Sequence, residues 1–134
     1  MTILIIDEDE DLANLLKQTI LVGYYMLAKT WARAGQVPRA GLDFSRCRNL
    51  GEAVEVLRRS SDPLDIVFAA CPGADRVFVR SCREQCAGRY RSLVVVADRE
   101  HQEAAAQCLE AGADDCLWKP FGPEDLLKHL QPLR

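Results

Sequence analysis

Apolar residues along this chain fall into short continuous runs separated by stretches of helical periodicity. Residues 2–6 (TILII) form an unbroken apolar run that ends abruptly in four acids, Asp7, Glu8, Asp9 and Glu10. Residues 65–70 and 93–97 repeat the pattern, and a shorter run at 116–118 follows Gly112 and two aspartates. Continuous rather than alternating hydrophobicity marks strands covered on both faces, as in a parallel sheet. A further strand is expected at 42–47, leading into a helix near Gly51.

The intervening segments read as helices. Residues 52–59 place Ala53, Val56 and Leu57 on one face. Residues 75–87 turn Val79, Cys82 and Cys86 inward and Arg76, Arg80 and Arg83 outward. Residues 100–111 gather Ala104, Cys108 and Ala111, with Gly112 as a C-terminal cap. The last helix opens at Pro123, carries Leu126, Leu127 and Leu130, and is stopped by Pro132. The first helix is long: from Asp11 a stripe of Leu12, Leu15, Leu16, Thr19, Val22, Met26 and Ala34 reaches residue 35, about 36 Å. Gly23 interrupts it, so residues 24–41 form either an extension of this helix or an insertion. Alternation of strand and helix implies an α/β domain, a parallel sheet with helices on both faces.

Composition narrows the function. The 134 residues suit one domain, 1–134, with a core that needs no staples. Seventeen basic against twenty acidic residues give a net charge of -3, which disfavours nucleic acid as a partner. No apolar run approaches the ~20 residues of a membrane span, and the acidic start is unlike a signal peptide, so a cytoplasmic location is expected. The six cysteines then read as reduced thiols. Cys82 and Cys86, with His101 or His129, have the residue types of a metal site but lie on an apolar stripe, where cysteine acts as a small hydrophobe. Cys71 is the better candidate for a thiol sensor.

In an open parallel sheet, ligands bind beyond the carboxyl ends of the strands. Asp7, Glu8 and Asp9 follow the first strand and Lys119 follows the fifth, an arrangement suited to Mg²⁺ beside a phosphoryl group. Over the whole chain these elements resemble the receiver (CheY-like) domain of two-component response regulators. The stretch EAGADDCLWKPF (110–121), followed by PEDLL (123–127), carries the resemblance most specifically, with LIIDEDED (4–11) and NLGEAVEVLRR (49–59) in support. It implies a flavodoxin-like, doubly wound sheet of five parallel strands in order 2-1-3-4-5. It also implies transfer of a phosphoryl group from a histidine kinase to an aspartate ending the third strand.

This sequence departs from that pattern. The acceptor position falls on Ala70 counted from Asp65, or on Phe68 counted back from Pro72 and Gly73, and no acid lies between residues 66 and 74. The hydroxyl position ending the fourth strand is Ala97, and the aromatic switch position is Cys116. Asp7, Glu8, Asp9 and Lys119 remain as an acidic pocket in which the lysine is the expected counter-ion, with a weak Mg²⁺ site at Asp7 and Glu8 as the alternative and no other cofactor. The reading is a non-enzymatic pseudo-receiver that works by protein–protein contact with a signalling partner or effector domain, away from nucleic acid and membrane. Trp118 and Phe121 are expected at the output surface, about residues 99–131. Tyr24, Tyr25 and Trp31 are expected at a partner or homodimer surface. The rivals are an active receiver with a displaced acceptor, Asp65 or Asp75, and a haloacid-dehalogenase-like phosphatase using Asp7 and Asp9.

Overall fold

The computed structural model describes residues 1–36 and 41–130. In chain order the elements are β1 (Thr2–Ile6), α1 (Glu10–Arg33), β2 (Asp43–Cys47), α2 (Leu50–Arg59), β3 (Leu64–Ala70), α3 (Arg76–Gln85), β4 (Tyr90–Ala97), α4 (Gln102–Ala111), β5 (Asp115–Trp118) and α5 (Pro123–Leu130). A short 3₁₀ turn, Arg99–His101, leads into α4. The five strands form one parallel sheet in the order β2-β1-β3-β4-β5, the flavodoxin-like arrangement.

The continuous apolar runs are explained by burial on both faces. Ile3, Ile5, Ile66, Phe68, Val94 and Val96 face α1 and α5. Leu4, Ile6, Val67, Ala69, Val95 and Ala97 face α2, α3 and α4. Successive side chains thus enter different cores, which is why the central positions of β1, β3 and β4 are continuously apolar, while polar residues such as Asp65 and Arg91 are confined to the strand starts. The helices are started by side chains the sequence places there. Asp9, Asn49 and Asp75 accept backbone N–H groups at the first turns of α1, α2 and α3. Gly112 ends α4 at φ +123°, a conformation that L side chains rarely adopt.

Helix α1 runs without a break through Gly23 for 24 residues, so the extension, rather than an insertion, accounts for the segment up to Arg33. Residues 37–40 lie outside the described residues, as does the expected stop at Pro132. Of the expected stripe only Leu16 is buried, and the rest of the buried face differs. That face is Ala13, Leu16, Ile20, Gly23, Leu27 and Trp31, whereas Leu12, Leu15, Val22 and Met26 are exposed. The two stripes have the same 3-4 spacing, displaced by one residue or about 100° around the helix. The inward one carries the small residues: a Cβ on Gly23 would lie 3.1 Å from the Pro123 carbonyl oxygen of α5. Close approach of α1 to α5 therefore selects the face that offers Gly23. In α2, likewise, Ala53 and Leu57 are buried while Val56 turns outward, and in α4 Ala105 and Cys108 take the innermost places.

Candidate functional site

Parallel register brings the carboxyl ends of all five strands to one edge of the sheet. Cys71 N–H donates to the Val96 carbonyl at 2.9 Å, Lys119 N–H to that of Ala97 at 2.8 Å, and Asp7 N–H to that of Cys47 at 3.1 Å. The ladder thus continues one residue past the strands and fixes where Asp7, Ala70 and Lys119 stand. Two adjoining recesses meet there and share Ile6, Asp7, Leu12, Ala70 and Lys119 as walls. The larger, about 370 Å³, carries the ionisable side chains of Glu8, Arg48, Asp98 and His101 and also reaches Cys71. The smaller, about 170 Å³, is almost wholly apolar and runs under α1 towards Phe68, Val96 and Phe121.

Of the residues singled out by sequence, Asp7, Glu8, Ala70 and Lys119 come together at this edge, whereas Asp9 does not line it. Its carboxylate accepts the N–H groups of Asp11 at 2.9 Å and Leu12 at 3.2 Å, and so belongs to the start of α1. Asp7 in turn accepts the Asp9 N–H at 2.8 Å. The expected pairing of these acids with Lys119 is corrected: among the described residues Lys119 forms no ion pair. The Asp7 carboxylate is turned towards the helix start. A cation that sequence reasoning missed supports the loop instead, for the Arg46 guanidinium donates to the carbonyls of Asp7 at 3.0 and 3.2 Å and of Glu8 at 3.1 Å. Arg46 sits on a strand whose alternation reads as surface, which hid this role.

Phe68 and Ala70 point to the same face of β3, but Phe68 is fully buried and forms the inner wall of the smaller recess. Ala70 lines both recesses beside Asp7 and Lys119. Ala97 and Cys116 are buried in the core under α4 and line neither recess. Asp98, next after β4, meets His101 Nδ1 at 2.6 Å. That hydrogen bond is the main reason the Asp98 carboxyl lies below the usual carboxylate range, with Lys119 contributing least. The i, i+3 spacing of the two was visible in the sequence.

The residues present do not fit a divalent cation. A hard cation needs converging oxygen ligands, yet β3 offers a methyl group here and Asp9 is committed to α1. No three His, Cys, Asp or Glu side chains converge among the described residues, which also applies to Cys82 and Cys86 with His101 or His129. All six cysteines are free and buried. Burial pushes the Cys82 thiol up to about 12 and those of Cys108 and Cys116 to about 11. Cys71 is raised as well, by burial first and then by Asp98. A raised, buried thiol carries little thiolate, so the expected sensor role of Cys71 gains no support.

The aromatic surface is corrected in part. Trp31 is 3% exposed and belongs to the core between α1, α5 and the sheet. Tyr24 packs on that core, and Tyr25 is 66% exposed. Trp118 is half-buried under the Arg99 guanidinium, 5.7 Å from its ring centroid, and Phe121 rims the smaller recess. The exposed apolar surface lies instead along α1, at Leu12, Leu15, Val22, Tyr25 and Met26. No helix among the described residues is long and apolar enough to cross a membrane.

No family model matches the chain. It is 28% identical over 132 residues to Protein PetR of Rhodobacter capsulatus, covering 98% of this chain and 47% of PetR, so it spans about half the length of that curated relative. Among solved structures it resembles a response regulator receiver domain protein of Clostridium thermocellum, at a TM-score of 0.73 and 13% identity, covering 98% and 92% of the two chains. It also resembles the chemotaxis protein CheY4 of Vibrio cholerae, at 0.69 and 19%, covering 99% and 98%. A third similar structure is the receiver domain of the sensor histidine kinase PA1611 of Pseudomonas aeruginosa, which holds a magnesium ion in its active site cleft, at 0.71 and 21%, covering 98% and 95%. The α/β sheet in order 2-1-3-4-5, with its recess at the carboxyl ends of β1, β3 and β5, is the fold of the CheY-like response-regulator receiver domain.

Proposed function

We propose that this chain is a receiver of two-component signalling that works without phosphorylation, as a protein-interaction module. The observation that carries this reading is the side chain at the end of β3. Ala70 stands between Asp7 and Lys119, where an acceptor would need a nucleophilic carboxylate. The neighbouring positions agree, since Ala97 has no hydroxyl to offer a phosphoryl oxygen and Cys116 is a buried thiol in place of an aromatic switch. With no covalent trigger, the output comes from constitutive contacts or from a ligand that shifts the balance between conformations. The partner would be a signalling protein or an effector domain. The surfaces that suit it are the exposed apolar stripe of α1 and the region about Trp118 and Phe121.

The rival readings find less support. Asp65 accepts the Thr2 N–H at 2.8 Å and lies beside Arg91, at the opposite end of the sheet from Asp7. Asp75 accepts the Phe78 N–H at the start of α3. A phosphatase using Asp7 and Asp9 would need the second carboxylate free to move a proton, and Asp9 is held by two backbone donors.

Incubation with acetyl phosphate and Mg²⁺, followed by intact mass and phosphate release, tests the reading. The chain is expected to stay unmodified and to release phosphate no faster than the buffer. A stable adduct of one phosphoryl group would establish a displaced acceptor. Phosphate release that disappears in Asp7→Asn would establish the phosphatase.

A further inference from the structure

We propose that the smaller recess is a binding site for a small amphipathic carboxylate, whose apolar body of about one ring lies under α1 and whose anionic head meets Lys119. The recess measures about 170 Å³. A cavity of about 150 Å³ lined by aliphatic and aromatic side chains is large enough for a benzene ring. Its inner walls, Ile5, Leu16, Phe68 and Val96, are buried and apolar. They leave water few hydrogen-bond partners and favour an apolar occupant. The recess is open to the surface, because Leu12 and Leu15, which are exposed, also line it.

Charge at the mouth selects the head group. Two ionisable side chains line the recess, Asp7 and Lys119. The Asp7 carboxylate already accepts the Asp9 N–H, and the Arg46 guanidinium sits on the adjacent carbonyl. Lys119 has no ion-pair partner among the described residues. An ammonium group at the edge of an apolar chamber is complementary to a monoanion with an apolar tail. The same recess is walled by Leu12, Leu15 and Thr19 of α1 and by Phe121 of the β5–α5 loop. A bound molecule would therefore touch the surface assigned above to partner contact, and this last step rests on the proposed function. Binding itself does not, and it is read on the chain alone.

The test is a titration of the isotopically labelled chain with phenylacetate, followed by ¹H–¹⁵N spectra. Saturable shifts are expected around Ile5, Phe68, Ala70, Lys119 and Phe121, with a dissociation constant of about 1 mM or tighter for so small a probe. Lys119→Gln, at a half-buried position at the mouth, should weaken phenylacetate about tenfold and leave the neutral phenylacetamide unchanged. Ala70→Leu, whose added carbons fill the recess, should abolish both while the spectrum stays dispersed. Absence of saturable shifts at about 10 mM, tighter binding of phenethylamine than of phenylacetate, or shifts that survive Ala70→Leu would each overturn the proposal.

Discussion

Position 70 carries a methyl group between an aspartate and a lysine, and much of the chemistry open to this edge of the sheet follows from that substitution. Other residues matter through burial rather than reactivity. His129 is the clearest case, with its side chain 7% exposed, its ring set edge-on to Phe68 and its Nε2 without a hydrogen-bond partner. Burial lowers its pKa below the usual 6.5, Asp115 acting against this and Lys128 with it. The folded state therefore favours the neutral ring, and the unfolded chain binds the extra proton. Stability from this residue is present above about pH 6.5 and declines as pH falls towards the folded value, by at most about 1.4 kcal/mol per pH unit. Asp115, which burial alone would raise, is held low by the Lys128 hydrogen bond together with the Cys116 N–H and the charges of Lys128 and His129, and so loses its contribution only at more acidic pH. His129→Phe keeps the ring contact and removes the titration. Its melting temperature is expected to fall less than that of the wild type between pH 7 and pH 5, and equal slopes would refute the assignment.

At the scale of elements, α1 separates what periodicity reveals from what it hides. A helix there was legible, because apolar residues recur at 3-4 spacing from Leu12 to Met26. Which face turns inward was not, since Ala13, Leu16, Ile20, Gly23 and Leu27 repeat the spacing one residue later. Packing against α5 decides the matter through Gly23, a contact between segments about a hundred residues apart. The aromatic residues test this orientation. Trp31→Ala should destabilise the fold by about 3–5 kcal/mol, as for a large core side chain, whereas Tyr25→Ala should change stability by no more than about 0.5 kcal/mol. Chemical denaturation of the two variants decides it; similar effects would mean that α1 is rotated from the face described. The strands were easier to read, because burial on two faces leaves a continuous apolar run that a solvated strand does not show.

For the whole molecule, strand order was legible only through the resemblance carried by residues 110–121, since the local pattern predicts parallel strands but not their neighbours. The positions on which the proposed function rests, Ala70, Ala97 and Cys116, are read directly from the sequence, whereas the internal bonds of the site were less legible. Asp9 at the start of α1 and Arg46 on the Asp7 and Glu8 carbonyls are fixed by backbone geometry that residue types do not announce. On the proposed function, this edge keeps the outline of a phosphoryl site and lacks its ligands. Addition of Mg²⁺ and beryllofluoride, a mimic of the acyl phosphate, to the labelled chain tests this most directly through its ¹H–¹⁵N spectrum. No saturable change is expected at Asp7, Ala70, Ala97 or Lys119, whereas a saturable Mg²⁺-dependent shift of these resonances would show that the edge still binds as a phosphoryl site.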